Sequence, residues 1–530
     1  MKKVIQRFLA LVAFLFLCVG AYAQVTTSSL GGRITDEAGA AAAGVTLVAT
    51  HVPSGTMYAA VTNNDGRYTI QGMRPGGPYK VEISYIGYQT MSFTDITLQL
   101  GDLYNLSAEL KEETFQLEDI VIVASASSAF AGEKFGSSTN ISNQNIQTLP
   151  TISRTITDIT KLSPYGGSGM SFSGGDGRSS NFTVDGANFN NNFGLSSSLP
   201  GGGTPISIDA IEEVQVVIAP FDVRQTNFIG GGVNAITKSG TNTLRGSAYI
   251  YHRNENMRGN TVDGVELGER GIDRNTTYGA TLGGPIVKNK LFFFVNFEYA
   301  QTPTIVNRWR PSVDGVANTD LYISRTTMAD MKRASDFLMS KYGYDTGSYT
   351  DYPANESNMK ILARLDWNIS KNHNLAIRYN YTLNRGWNNT NASSSNCIQR
   401  TTESRLGQYS MAFANSMYSM DNIVNSVSVD LNSRFGDNIS NQLLVTYSQL
   451  DDIRGSNSAK FPFIDILEGY TVDNGKISQA IVPYMSAGYE LFTWNNGVHN
   501  TVINAKDDIT LYKGNHKICL LYTSPSPRAS

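Results

Sequence analysis

The first residues that could do chemistry are two histidines and a glutamate spaced like a zinc peptidase site. Such a site needs a His-x-x-Glu pair and a more distant histidine as metal ligands. His252 and Glu255 have the pair spacing, and His373 follows much later. However, His252 ends one predicted strand and His373 lies in the turn before another, so we expect the two rings to lie far apart. We therefore predict no metal site and no cofactor.

A second candidate is the run GVNAITKS, residues 232–239, whose lysine suggests a phosphate-binding loop. That loop requires a glycine directly before the lysine, where this chain has Thr237, and it connects a strand to a helix. No helical pattern follows Ser239. The sequence also lacks an H-E-x-x-H pair, a G-x-S-x-G nucleophile elbow and a two-cysteine redox motif. We predict no catalytic residue and no enzymatic activity.

The composition favours several β-rich units over one soluble domain. The chain has 530 residues, and 16% of them are charged, against about 25% in typical soluble domains. A net charge of −3 provides no basic field, so we expect no nucleic-acid partner. Tyrosine (27 residues) and glycine (49 residues) are abundant, which suits strands, aromatic girdles and turns.

The N-terminus has the three parts of a secretory signal peptide. Three of the first seven residues are basic, Phe8 to Val19 are apolar, and Ala21 and Ala23 form an A-x-A cleavage site. Gln24 would then begin the mature chain. We predict that residues 1–23 are a signal peptide and that the protein is exported.

In residues 24–111, apolar and polar residues alternate along short segments. These segments are separated by Gly, Pro and Asn-Asp-Gly turns, as in a β-sandwich. The run GGRITDEAGAAAAGVTLVA, followed by TNNDGRYTIQGMRPGGPYKVEISYIGYQT, resembles the carboxypeptidase regulatory-like domain. Despite its name, that resemblance implies a module without catalytic activity.

Residues 129–240 contain mixed short elements and many glycines. The stretch from Ile211 to Asn242 indicates a strand, a loop with a triple glycine and a second strand. It resembles the end of the plug domain of TonB-dependent outer-membrane receptors; a glycine-rich turn in another β protein is the alternative. The run GGPIVKNKLFFFVNFEY, residues 283–299, favours the Oar-like branch of that family. The resemblance implies structural plug roles for Gly230, Gly231, Gly232, Asn234, Thr237 and Lys238.

Between sandwich and plug, residues 112–128 form an acidic, then serine-rich, linker around an apolar strand. This strand resembles the TonB box, with a core of Asp119, Ile120, Val121, Ile122 and Val123. An extended segment of this kind can add to the edge of a partner's sheet. The resemblance implies a TonB-type energy-transducing protein as that partner. The alternative is one more strand of the preceding sandwich.

Two groups of plug residues are candidates for ligand contact. Arg178 and Asp185 are able to pair, which would fix plug loops, or to contact ligand. An amide-rich loop follows, in which amides offer hydrogen-bond donors and acceptors and phenyl rings offer stacking surface. Its candidate residues are Asn188, Phe189, Asn190 and Phe193. The alternative is a polar loop satisfied by water and the plug backbone.

From residue 241 to residue 518, alternation with a period of two dominates. The strands are long enough for a tilted membrane crossing, and a short turn (Ser370–His373) contrasts with a long loop (Ala300–Asn358), as in outer-membrane barrels. That loop contains a predicted helix over Thr327 to Lys341. The predicted fold is therefore mainly β: an N-terminal β-sandwich, an α+β plug domain, and the first part of a large antiparallel transmembrane β-barrel.

About ten barrel strands are predicted, whereas plugged transporters have about 22, so we expect a C-terminally truncated fragment. Residues 519–530 abandon the pattern and are expected to be a non-native tail. The family resemblance implies a receptor in the outer-membrane lipids that takes up a siderophore, glycan, peptide or protein. The alternatives are an Oar-like envelope protein involved in protein export or surface display, and a soluble adhesin of tandem sandwiches.

Overall fold

A computed structural model describes residues 25–529 with interruptions. The gaps are residues 113–119, 124–131, 134–135, 150, 152–153, 191–198, 202, 221–224, 226–229, 258, 267–273, 304–305, 354, 396, 399, 402, 437, 470, 475, 479–480 and 514–515. The protein is mainly β, as predicted, with a sandwich, a plug and a large antiparallel sheet. Strands and helices are numbered in chain order below.

The N-terminal unit is a sandwich of two sheets. Its strands are β1 (Ser28–Thr35), β2 (Thr46–His51), β3 (Thr56–Val61), β4 (Arg67–Met73), β5 (Gly76–Ser84), β6 (Met91–Leu98), β7 (Leu103–Asn105), β8 (Ala108–Glu109), β9 (Ile120–Val123) and β10 (Gly132–Glu133). One sheet has the order β10-β7-β1-β4, with β8 also on β1, and the other has the order β3-β2-β5-β6-β9. Alternate apolar residues such as Leu47 and Val81 are fully buried between them, as expected for a strand with one core face.

The plug combines a five-stranded mixed sheet with short helices. Its elements are β11 (Gly136–Ser142), α1 (Asn143–Thr148), α2 (Ile156–Thr160), β12 (Asn181–Val184), β13 (Ala187–Asn188), β14 (Ile211–Pro220) and β15 (Gly232–Thr237). The sheet order is β11-β14-β15-β12-β13. Side-chain oxygens cap the helices: Ser142 accepts from the backbone N–H of Asn145 at α1, and a Thr155–Asp158 capping box starts α2.

The third unit is a nine-stranded antiparallel sheet in which each strand pairs with the next one along the chain. Its strands are β16 (Arg245–Arg253), β19 (Asn275–Val287), β20 (Leu291–Pro303), β23 (Asn355–Ser370), β24 (His373–Asn388), β26 (Tyr418–Phe435), β27 (Ile439–Gly455), β32 (Gly497–Lys513) and β33 (His516–Ala529). The last strand includes residues 519–529, which the sequence pattern had placed outside the barrel.

The two faces of this sheet differ in polarity. Phe297 and Trp367 point outward and remain more than 40% exposed, as on a lipid-facing surface. The neighbouring residues Glu298, Lys360 and Asp366 point inward and are buried. The period-two pattern therefore separates an apolar outer face from a charged inner face that holds the plug.

Connections at one end of the sheet are short, whereas those at the other end fold into a lobe. The connections contain β17 (Thr261–Val262), β18 (Val265–Glu266), β21 (Arg310–Ser312), β22 (Ile323–Thr327), α3 (Met328–Tyr342), β25 (Met411–Ala412), β28 (Ile464–Ile466), β29 (Thr471–Asp473), β30 (Lys476–Ser478) and β31 (Met485–Ala487). Helix α3 lies one residue from its predicted bounds; Thr327 caps its start and Gly343, in the left-handed region, ends it. Its residues Met331 and Leu338 join the lobe's own apolar core.

No helix among the described residues is both long and apolar enough to cross a bilayer.

Candidate functional site

The triple glycine holds the plug sheet close to the loop that carries Phe172. A Cβ atom on Gly231 would lie 2.6 Å from the Phe172 ring, closer than van der Waals contact allows, whereas one on Gly230 would lie 3.3 Å from the Ser179 hydroxyl. Gly232 begins β15 and pairs with Asn181 and Val217. Close packing therefore requires glycine most strictly at position 231.

The polar residues of β15 and the residue after it make buried contacts within the plug. Asn234 accepts a hydrogen bond from the Thr183 hydroxyl at 2.9 Å. The Thr237 backbone N–H and hydroxyl donate to the Asp185 carboxylate at 3.1 and 2.6 Å. Lys238 donates its backbone N–H to Ala210, and burial lowers the pKa of its amine. Each contact supports a structural role for this run.

Asp185 connects the plug to the nine-stranded sheet, which is called the barrel wall below. It occupies the tight turn between β12 and β13 at φ 49°, next to Gly186, and is 2% exposed. Its Oδ1 lies 3.8 Å from Arg364 Nη1 and 3.5 Å from Arg378 Nε. Arg364 also donates to the Thr237 carbonyl at 2.6 Å. A carboxylate of the plug therefore faces two guanidinium groups of the wall.

The wall arginines have their own acidic partners, which sequence analysis did not single out. Arg364 forms a bidentate pair with Asp366, with both N–O distances 2.8 Å. Arg378 lies 3.5 Å from Asp430. All four side chains are at least 90% buried, and such charges are retained only when paired. The available signal was the set of charged residues on the inward positions of alternating strands.

Arg178 and Asp185 do not pair. Arg178 binds Asp176 at 2.5 Å on the plug surface, while Asp185 faces the wall arginines. Arg178 lowers the pKa of the Asp176 carboxyl to about 2. The predicted pairing is wrong because the turn at Asp185 directs its carboxylate away from the loop that carries Arg178.

The amide-rich loop is held by its own contacts. The Phe189 ring is 1% exposed and packs edge-on against Phe182 at 6.3 Å. Asn190 accepts from the Phe182 backbone N–H at 2.7 Å and donates to Asn181, and Asn188 accepts from the Asn190 N–H. The Phe189 ring therefore faces the plug core and offers a ligand no stacking surface. Phe193 lies outside the described residues.

The core of the TonB-box-like segment is a strand at a sheet edge. Its residues Ile120–Val123 form β9, which pairs in parallel with β6, from Met91↔Ile120 to Thr94↔Val123. This is the arrangement of the alternative in which the segment continues the sandwich. Asp119 and the predicted cleavage-site residues Ala21, Ala23 and Gln24 lie outside the described part of the chain.

A cavity of about 540 Å³ lies where the sandwich, the plug and the barrel wall meet. Arg74 and His51 line it from the sandwich, Glu212 and Lys238 from the plug, and Asn374 from the wall. Burial lowers the pKa of His51 to about 3 and raises that of Glu212. The cavity lies at the end of the sheet that has short turns, the periplasmic end in outer-membrane barrels.

Within the described ranges, no group of three or more His, Cys, Asp or Glu side chains could hold a metal ion. His252 contacts the Thr276 hydroxyl at 2.9 Å, and His373 contacts that of Ser433 at 2.9 Å. The two histidines thus lie on different strands, each beside a hydroxyl group.

Family comparisons agree with this architecture. Residues 29–111 match the carboxypeptidase regulatory-like domain, and residues 236–314 match an outer membrane beta barrel domain. The TonB-dependent transporter Oar of Myxococcus xanthus is 25% identical over 394 residues, which cover 69% of this chain and 34% of that protein. These findings support the resemblance to the Oar-like TonB-dependent receptors. The chain spans about a third of the length of this relative.

Solved structures of outer-membrane receptors are also similar. The outer membrane transporter YddB from Escherichia coli is 12% identical, with a TM-score of 0.48, covering 74% of this chain and 48% of that chain. The siderophore receptor PirA from Acinetobacter baumannii is 13% identical, with a TM-score of 0.39, covering 73% of this chain and 47% of that chain. The outer membrane beta barrel match and the Oar relative support an outer-membrane location, and that relative is a transporter rather than an enzyme.

Proposed function

We propose that this Oar-like receptor takes up a ligand across the outer membrane with energy supplied through the strand Asp119–Val123. The observation that carries the proposal is a plug held by buried charges against the polar face of a sheet whose other face is apolar. A blocked path of this kind needs work to open, because the plug must first leave buried partners.

The inner contacts indicate where the plug must yield. Asp185 faces Arg364 and Arg378, and Ser207 donates to Glu298 at 2.7 Å, while Glu298 also binds Lys360 at 2.8 Å. Breaking one buried ion pair costs about 3–5 kcal/mol. A TonB-type partner that pairs with the box strand by β-augmentation would apply force to the plug through the chain after Val123.

The surrounding assignments follow from the same proposal. Residues 1–23 act as a signal peptide, the apolar face of the sheet contacts outer-membrane lipids, and the loop lobe captures the ligand. The ligand is a siderophore, glycan, peptide or protein, because receptors with one type of plug differ mainly in their outer loops.

Deletion of Asp119–Val123 from the complete gene tests the energised step. We expect the deletion strain to grow like a strain without the gene, under conditions in which that gene is needed, and the protein to lose co-purification with the TonB-type partner. Deletion of residues 124–128, the same length in the same linker, is the matched control and should retain both properties. Normal growth and normal co-purification after deletion of Asp119–Val123 would refute the proposal.

A further inference from the structure

One sandwich residue, Leu100, is held by three side chains of the plug. The Leu100 backbone N–H donates to Glu213 at 2.9 Å, and its carbonyl accepts from Gln215 at 2.6 Å and from Asn140 at 3.0 Å. The Leu100 side chain is fully buried and packs with Ile236 of the plug. Both backbone polar groups of Leu100 are therefore held by the plug.

The sandwich is fastened to the barrel wall by a second set of contacts. Arg74 Nη2 lies 3.1 Å from Asp366 of the wall, and its Nη1 donates at 2.7 Å to Ser239, at the end of the plug. The Thr26 hydroxyl donates to Asp430 at 2.9 Å and accepts from Gln442 at 2.6 Å. Asp366 and Asp430 are also the partners of the wall arginines that face the plug, so the sandwich shares one charge network with the plug and the wall.

These contacts close the 540 Å³ cavity on its sandwich side. The Asn374 Oδ1 atom on the wall is buried and has no hydrogen-bond partner in the structure. A ligand moving between the plug and the strands that carry Arg364 and Arg378 would enter this cavity before reaching the periplasm. With the sandwich in place, that route ends at the cavity.

The box strand and the plug contact lie on the same element of the sandwich. Strand β6 pairs with β9, and Leu100 follows two residues after β6 ends at Leu98. Removing β9 would expose the edge of β6 over Met91–Thr94, and Thr94 lies six residues before Leu100. A force on the box strand would therefore reach the contact with Glu213 and Gln215 through β6.

We propose that the N-terminal β-sandwich is a cover that closes the periplasmic end of the ligand path, and that removing strand β9 from β6 loosens it. The inference rests on the proposed transport function. The cover itself is a property of the resting protein, so it can be measured without a ligand or an energised partner.

A cysteine reporter in the cavity tests the cover. In outer-membrane fragments, with Cys397 and every other cysteine replaced by serine, the substitution Asn374→Cys provides a thiol that lines the cavity for a maleimide–polyethylene glycol probe. Adding Arg74→Ala should speed labelling about tenfold, the factor given by about 1.4 kcal/mol of lost docking energy. Arg67→Ala removes an exposed arginine from the same sandwich and is the matched control, which should label at the parent rate.

Two further variants control for misfolding of Arg74→Ala and test whether β9 is coupled to the cover. Thr26→Val preserves side-chain shape and should also accelerate labelling, by a smaller factor. Ile122→Pro removes a backbone N–H from β9 and should accelerate labelling through Leu100. If Arg74→Ala and Thr26→Val both label at the control rate, the cover is refuted. If Arg74→Ala and Thr26→Val accelerate labelling but Ile122→Pro labels at the control rate, the coupling to β9 is refuted.

The outcome is independent of the box-deletion experiment. Faster labelling of Arg74→Ala, combined with normal growth after box deletion, would retain the cover and refute energised transport. Labelling of all variants at the control rate, combined with loss of function after box deletion, would refute the cover and retain energised transport.

Discussion

Replacing the buried carboxylate of Asp185 should loosen the plug. Asp185 is 2% exposed, accepts two hydrogen bonds from Thr237 and faces two arginines within 3.8 Å. Asp185→Asn keeps the side-chain shape and tolerates the positive φ of 49°, so the loss of charge is the main change. Removing one partner from a buried ion pair costs about 3–5 kcal/mol; the lower end applies here because Asp366 and Asp430 still neutralise the arginines.

Hydrogen–deuterium exchange of β15 in the complete protein measures this loss. A loss of about 3 kcal/mol corresponds to roughly a 100-fold faster exchange at the Thr237 amide and its neighbours, where opening of the plug limits exchange. Asp176→Asn is the matched control, because its carboxylate binds Arg178 on the plug surface and should leave β15 unchanged. If both variants exchange at the same rate, the plug is not held through Asp185 and the reasoning fails.

Two other substitutions test the packing of the plug and its contact with the sandwich. Gly231→Ala would place a methyl group 2.6 Å from the Phe172 ring and should destabilise the plug by about 1–3 kcal/mol in urea unfolding. In Gly230→Ala the new methyl group would lie 3.3 Å from the Ser179 hydroxyl, so the loss of stability should be smaller. Equal losses in the two variants would contradict the packing argument. Burial raises the pKa of Glu213 to about 7, from an ordinary value of 4.5. Its stabilising contribution is therefore fully present below pH 4.5 and is lost as the pH rises through 7. The free energy of unfolding in urea should therefore fall as the pH rises from 4.5 through about 7, and Glu213→Gln should remove that dependence; an unchanged pH profile in Glu213→Gln would refute the assignment to this carboxyl.

The sequence determined the local structure of this protein to a large extent. Alternation on either side of the turn Ser370–His373 predicted two long strands with one apolar face, which are β23 and β24, and the helix predicted over Thr327 to Lys341 is α3 to within one residue. Asp185-Gly186, a dipeptide typical of tight turns, forms the hairpin between β12 and β13. These features depend on residues close in the chain, where backbone preference and the period of the side chains decide the outcome.

Only the tertiary structure decided which charges meet. Asp185 faces Arg364 and Arg378 rather than Arg178, and Arg74 of the sandwich reaches Asp366 of the wall. The edge position of Ile120–Val123 beside β6 was likewise one of two open alternatives. Each of these contacts joins residues whose distance in space depends on strand register and on how three units pack. That distance cannot be predicted from the residues next to each of them in the sequence.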